Sequence, residues 1–85
     1  MGIVRLRGQL EKLAGAAELD VDGATVSELL QELEREHSAL EGWILDERGV
    51  LRRHINVFVN GEPAEQDTEV AAEDKIEILP AISGG

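Results

Sequence analysis

Few residues of this 85-residue chain have types and spacing that suit chemistry. His37 and His54 stand apart, without a cysteine or a His-Glu-x-x-His spacing, and so make no metal set. Ser27, Ser38 and Ser83 have no neighbouring histidine and acid that suggest a triad. The glycines spell neither Gly-x-Gly-x-x-Gly nor Gly-x-x-x-x-Gly-Lys, so no phosphate loop is expected. The carboxylates between Glu28 and Glu36 read as the solvated side of a helix. An enzyme in its own right is therefore not expected. What remains is the end of the sequence, Leu79-Pro80-Ala81-Ile82-Ser83-Gly84-Gly85. Two residues without side chains carry a carboxylate into spaces too narrow for a Cβ, and the extended run from Leu79 reaches roughly 20 Å. On these residues alone a flexible stub or a cloning remnant is an equally good reading.

Composition narrows the partners. A formal charge of -10, with Trp43 and Phe58 the only aromatics, opposes phosphate backbones and anionic lipid and leaves no stacking platform for single strands. The net charge predicts partners with basic surfaces. The absence of cysteine removes disulfides, thiolate metal sites and a cysteine nucleophile together. No stretch resembles a signal peptide and no apolar run nears the ~20 residues of a membrane span, so a cytoplasmic protein is expected. A chain this short buries only about 60–65 % of its unfolded surface, and its hydrophobic content of 42 % suffices for one small core.

The elements that position the terminus follow from periodicity. Ile3 to Arg7 alternates, with Val4 and Leu6 inward and Arg5 and Arg7 outward, as a first strand. Leu10, Leu13 and Ala14 suggest a short helical turn ended by Gly15. Leu19 and Val21 alternate with Glu18, Asp20 and Asp22 in a second strand, which Asp22-Gly23 terminates. Thr25-Val26-Ser27-Glu28 is a capping box, in which the Thr25 hydroxyl accepts from the Glu28 N–H and the Glu28 carboxylate reaches back to the Thr25 N–H. Val26, Leu29, Leu30, Leu33 and Leu40 form the apolar stripe behind it, with Glu32, Glu34, Arg35 and Glu36 toward solvent and His37 near the end. Between Ser38 and Leu51 a loop is expected, with a helical turn at Trp43-Ile44-Leu45 and Trp43 as a lid on the core edge. Arg52 to Val59 reads as the longest strand, with Ile55, Val57 and Val59 on one side and His54, Asn56 and Phe58 on the other. Asn60-Gly61 closes it as a hairpin, and Pro63 makes the return arm brief or an edge. Lys75 to Leu79 is the last strand, ended by Pro80. A striped helix between two pairs of strands lies most economically across one face of a single mixed sheet, an α+β arrangement.

The whole chain resembles the MoaD/ThiS family of ubiquitin-like sulfur carriers. The specific pieces are Ile55-Asn56-Val57-Phe58-Val59-Asn60-Gly61-Glu62 and the closing Pro80-Ala81-Ile82-Ser83-Gly84-Gly85. The resemblance implies a β-grasp domain over 1–80 with its first and last strands parallel in mid-sheet, followed by a flexible tail over 81–85. It implies that Gly85 bears the reactive carbon and Gly84 gives it a slim approach. An adenylating enzyme would spend ATP, with magnesium, on the Gly85 carboxylate, and a sulfur donor would convert it to a thiocarboxylate for a sulfur-accepting biosynthetic enzyme. The chain itself would hold no cofactor and would be a monomer when free. The sheet face near Phe58, Leu79 and Ile82, with Ser83, would dock on the activating enzyme. Two alternatives share the activation step: a modifier joined to lysines through Gly85, and the small subunit of a molybdopterin synthase.

Overall fold

The computed structural model describes residues 2–80; Met1 and residues 81–85 lie outside it. Strand β1 (Gly2–Leu6) leads into helix α1 (Gly8–Ala14), strand β2 (Glu18–Val21) and the main helix α2 (Val26–Glu36). A 3-10 turn (Ser38–Leu40) and a long connection follow, then β3 (Ile55–Val59), β4 (Glu62–Pro63) and β5 (Lys75–Pro80). The five strands form one sheet in the order β2-β1-β5-β3-β4. β1 and β5 are parallel, with Val4 opposite Ile76 and Leu6 opposite Ile78, and every other pairing is antiparallel. The parallel central pair and the helix on one face define the β-grasp arrangement.

Alternation along the strands and the stripe of α2 meet in one core. Val4, Leu6, Val57, Ile76 and Ile78 from the sheet pack with Val26, Leu29, Leu30 and Leu33 from α2. α2 begins where the sequence indicates: the Glu28 N–H donates to the Thr25 hydroxyl at 3.2 Å. The return bond of the capping box differs, because the Glu28 carboxylate accepts from the Ala24 N–H at 3.1 Å, one residue before the Thr25 N–H. Thr25 lies in a bridge with Glu69 of the loop before β5, which draws the chain entering α2 onto that loop. Gly23 does more than end β2. A Cβ there would stand 2.5 Å from the Leu29 nitrogen and 2.7 Å from its Cα, so the chain passes against the backbone of α2 where only glycine fits.

Four expectations need correction. Leu40 is buried, but in the separate 3-10 turn, since α2 ends at Glu36. The helical turn belongs to Ser38–Leu40 and not to Trp43-Ile44-Leu45; of those three, Ile44 and Leu45 enter the core while Trp43, 44 % exposed, faces outward. Glu34 does not point to solvent. Its Oε2 accepts from the Ile44 N–H at 3.0 Å and the Leu45 N–H at 2.8 Å, binding the connection to α2. Finally, β3 starts at Ile55, because the Ile55 N–H donates to the Arg52 carbonyl and folds Arg53-His54 into a turn. The longest strand is β5, paired along both edges.

Candidate functional site

The side of the sheet away from α2 has no covering element among the described residues. By alternation it carries Asn56 and Phe58 from β3 and Lys75, Glu77 and Leu79 from β5. Phe58 stands opposite Glu77 and Asn56 opposite Leu79, so Phe58 and Leu79 are diagonal neighbours across the β3–β5 ladder. With Arg7, Gly61 and Glu77 they line a shallow depression. The Arg7 guanidinium meets the Glu77 carboxylate at 3.0 Å, and Arg5 meets Glu18 at 2.5 Å. Exposed pairs of this kind add little stability, but they hold long side chains across the strands and leave the Phe58 and Leu79 surface open beside the Arg7–Glu77 pair.

One edge of this face is fixed by the hairpin. Asn60 and Gly61 have φ of 54° and 84°, the left-handed pair that a two-residue turn between twisted strands requires. The Asn60 side chain then ties the turn to β5, accepting from the Lys75 N–H at 2.9 Å and donating to Asp74 at 3.0 Å. The Ala71 N–H, and after it the Asn60 amide, hold the Asp74 carboxyl below its ordinary range. The other end of β5 is fixed as firmly. Pro80 pairs with Ile55, the Arg7 N–H donates to the Ile78 carbonyl at 3.2 Å, and a Cβ on Gly8 would stand 3.2 Å from Pro80 Cγ. The strand thus runs, held on both sides, to the residue from which the chain continues toward Gly85.

Of the residues singled out from sequence, Phe58 and Leu79 come together on the open face. Ile82, Ser83, Gly84 and Gly85 lie outside the described residues. Arg7 and Glu77 belong to the same surface and were not singled out as site residues; their outward places in the alternation of β1 and β5 are the signal that finds them. Among the described residues no group of three or more His, Cys, Asp and Glu side chains is placed to hold a metal ion. His37 closes α2 through its backbone N–H, bonded to the Leu33 carbonyl, and His54 is exposed. No helix of the described residues is long and apolar enough to cross a membrane.

Fold and site define a small ubiquitin-like protein of the β-grasp class. Residues 4–85 match the ThiS family model, and the chain belongs to that family. It is 40 % identical over 84 residues to small archaeal modifier protein 1 of Haloferax volcanii, covering 95 % of this chain and 97 % of the relative. It is 30 % identical over 77 residues to the sulfur carrier protein CysO of Mycobacterium tuberculosis, covering 84 % and 83 %. Among solved structures it superposes on a chain of the Amycolatopsis orientalis BexX/CysO complex with a TM-score of 0.85 and 31 % identity over 100 % of both chains.

Proposed function

We propose that this chain is a sulfur carrier and a co-substrate, whose working group is the carboxylate of Gly85. The observation that carries this reading is the family match, which extends through the glycines to residue 85. A carboxylate is a poor electrophile, because displacement at its carbon would expel oxide. An adenylating partner removes that obstacle. A Gly85 oxygen attacks the α-phosphorus of ATP, pyrophosphate leaves, and the acyl carbon now carries AMP as a leaving group. A donor at the oxidation level of hydrosulfide then forms the C–S bond as the C–O bond to AMP breaks, giving a thiocarboxylate. ATP and magnesium belong to the partner, and a sulfur-accepting biosynthetic enzyme consumes the product. Phe58 and Leu79, with Ile82 and Ser83, supply the docking contacts, and Gly84 passes through the narrow approach to the catalytic centre.

The 40 % identity to a modifier protein favours a second reading, in which a lysine amine displaces AMP and an isopeptide forms. One experiment separates the two. Incubation with the cognate adenylating enzyme, ATP and hydrosulfide is expected to replace one oxygen by one sulfur, detected by mass on the C-terminal peptide. Gly84→Ala is expected to abolish that change at an unaltered Tm. Linkage of Gly85 to lysines with no thiocarboxylate would establish the modifier in its place, and neither product would refute both.

A further inference from the structure

The charge of this protein is distributed unevenly along the strand axis. The two strands flanking β5 present cations at the end where Pro80 sits. β1 finishes at Leu6 and is followed by Arg7, and β3 is preceded by Arg52 and Arg53, with Ile55 paired to Pro80. Lys12 of α1, exposed, lies at the same end, since α1 follows β1 and packs on β5. The carboxylates at this end are Glu77, which Arg7 holds, Glu18, which opens β2 and pairs with Arg5, Glu11 on α1, and Glu36 and Glu41 on either side of the 3-10 turn that packs on α1. The opposite end of the sheet is anionic: Asp22 follows β2, and Asp67, Glu69, Glu73 and Asp74 precede β5, with Lys75 the cation among them. The strand ends beside Pro80 thus carry Arg7, Arg52 and Arg53, whereas the segment that leads into β5 at the far end is acidic up to Lys75.

We propose that the cationic strand ends around Pro80 form a docking collar for a protein surface that bears carboxylates around the mouth of the cleft receiving the tail. This rests on the carrier reading above, and it reverses the expectation from net charge that partner surfaces are basic. Opposite charges at the two ends would orient an approaching molecule tail first, because a reversed encounter sets the carboxylates of the far end against those of the partner. A nucleic acid or an anionic membrane is the poorer occupant. Either presents an extended field of negative charge that would meet the acidic body as well as the collar.

Arg53 is the residue on which to test this. It is exposed and has no hydrogen-bond or ion-pair partner among the described residues, whereas Arg7 holds Glu77 and Arg52 donates through Nε to the Gly42 carbonyl. The experiment compares wild type with Arg53→Glu, Glu73→Lys and the double variant, whose formal charge equals that of wild type. Two readouts are taken with the cognate adenylating enzyme: ATP–pyrophosphate exchange, and binding by calorimetry without ATP. Thermal melts check that every variant is folded. Arg53→Glu should raise KM and Kd about tenfold at low salt, leave kcat within about twofold, and lose most of that penalty near about 0.5 M salt. Glu73→Lys should shift either constant less than about twofold, and the double variant should keep the defect.

Recovery of wild-type values by the double variant would overturn the collar, because net charge alone would then explain the effect. So would an Arg53→Glu protein indistinguishable from wild type, absence of any binding to such an enzyme, or retention of the wild type on anionic vesicles at the same salt. The two proposals fail separately. Binding with this charge profile but no exchange refutes the carrier and leaves the collar, while exchange unimpaired in Arg53→Glu refutes the collar and leaves the carrier.

Discussion

On the face of the sheet under α2, Val4, Leu6, Val57, Ile76 and Ile78 are between 0 % and 3 % exposed; one residue along the same strands, Ile3 on the other face is 53 % exposed. Phe58 and Leu79 share that second face and are half-buried. Both faces carry aliphatic or aromatic side chains, so hydrophobicity alone does not tell them apart. The difference is what lies above them. One face is closed by a capped helix and a 3-10 turn, and the other, among the described residues, has two ion pairs laid across it. A single step in a period-two pattern thus separates residues that hold the fold from residues free to meet a partner.

That contrast can be broken most forcefully from the covered side. Leu30→Ala or Leu33→Ala should lower unfolding free energy by ~2–5 kcal/mol in a denaturant titration, and a loss of a few tenths would place α2 on the wrong face. Next in size, Glu34→Ala should cost ~1–3 kcal/mol by stranding the Ile44 and Leu45 N–H groups, with Glu34→Gln less severe because one acceptor remains. On the open face, Phe58→Ala should cost only about 1 kcal/mol, since the side chain is half in water already. Its larger effect should be a raised KM with the activating enzyme, and a stability loss matching that of Leu33→Ala would erase the distinction between faces.

The smallest effect is a pH dependence confined to the acid range. Asp46 is held down to about 2, first by the Arg48 guanidinium and then by the Val50 N–H. Its folded-state pKa lies below the ordinary carboxylate value, so its contribution is complete above about pH 4 and is lost as pH falls toward about 2. Thermal melts across that window should show the wild type losing Tm faster than Asp46→Asn.

Local signals explain which parts of the molecule were legible in the sequence. Thr25 and Glu28 sit three residues apart, and Asn60 and Gly61 are adjacent; each pair contains the partners that form its structure, so the start of α2 and the β3–β4 turn could be read directly. The inward and outward residues of β1, β2 and β5 were legible for the same reason. Glu34 was not, because its partners Ile44 and Leu45 reach it only when the connection folds back beneath α2. Gly23 resembled a turn residue, since nothing nearby in sequence announces the backbone of Leu29. The site was half legible. Phe58 and Leu79 are far apart in the chain and meet only through the β3–β5 register, and the charge asymmetry emerges only once strand directions are known. Summing charges over the sequence hid it, because Arg53 and Glu73 cancel in a total and stand at opposite ends in space.

The central position of β5 bears on how the molecule is made. β1 and β3 do not touch except through it, so before residues 75–80 join the sheet there are two separate ribbons, β1 with β2 and β3 with β4, each with an unpaired inner edge. Two-stranded ribbons of this length are marginal in water, and closing β1 onto β5 links residues more than seventy positions apart. Folding therefore waits for the last strand to be synthesised. A chain cut short before it would expose its core and raw strand edges to proteolysis. Completion of the sheet and closure of its core become a single event.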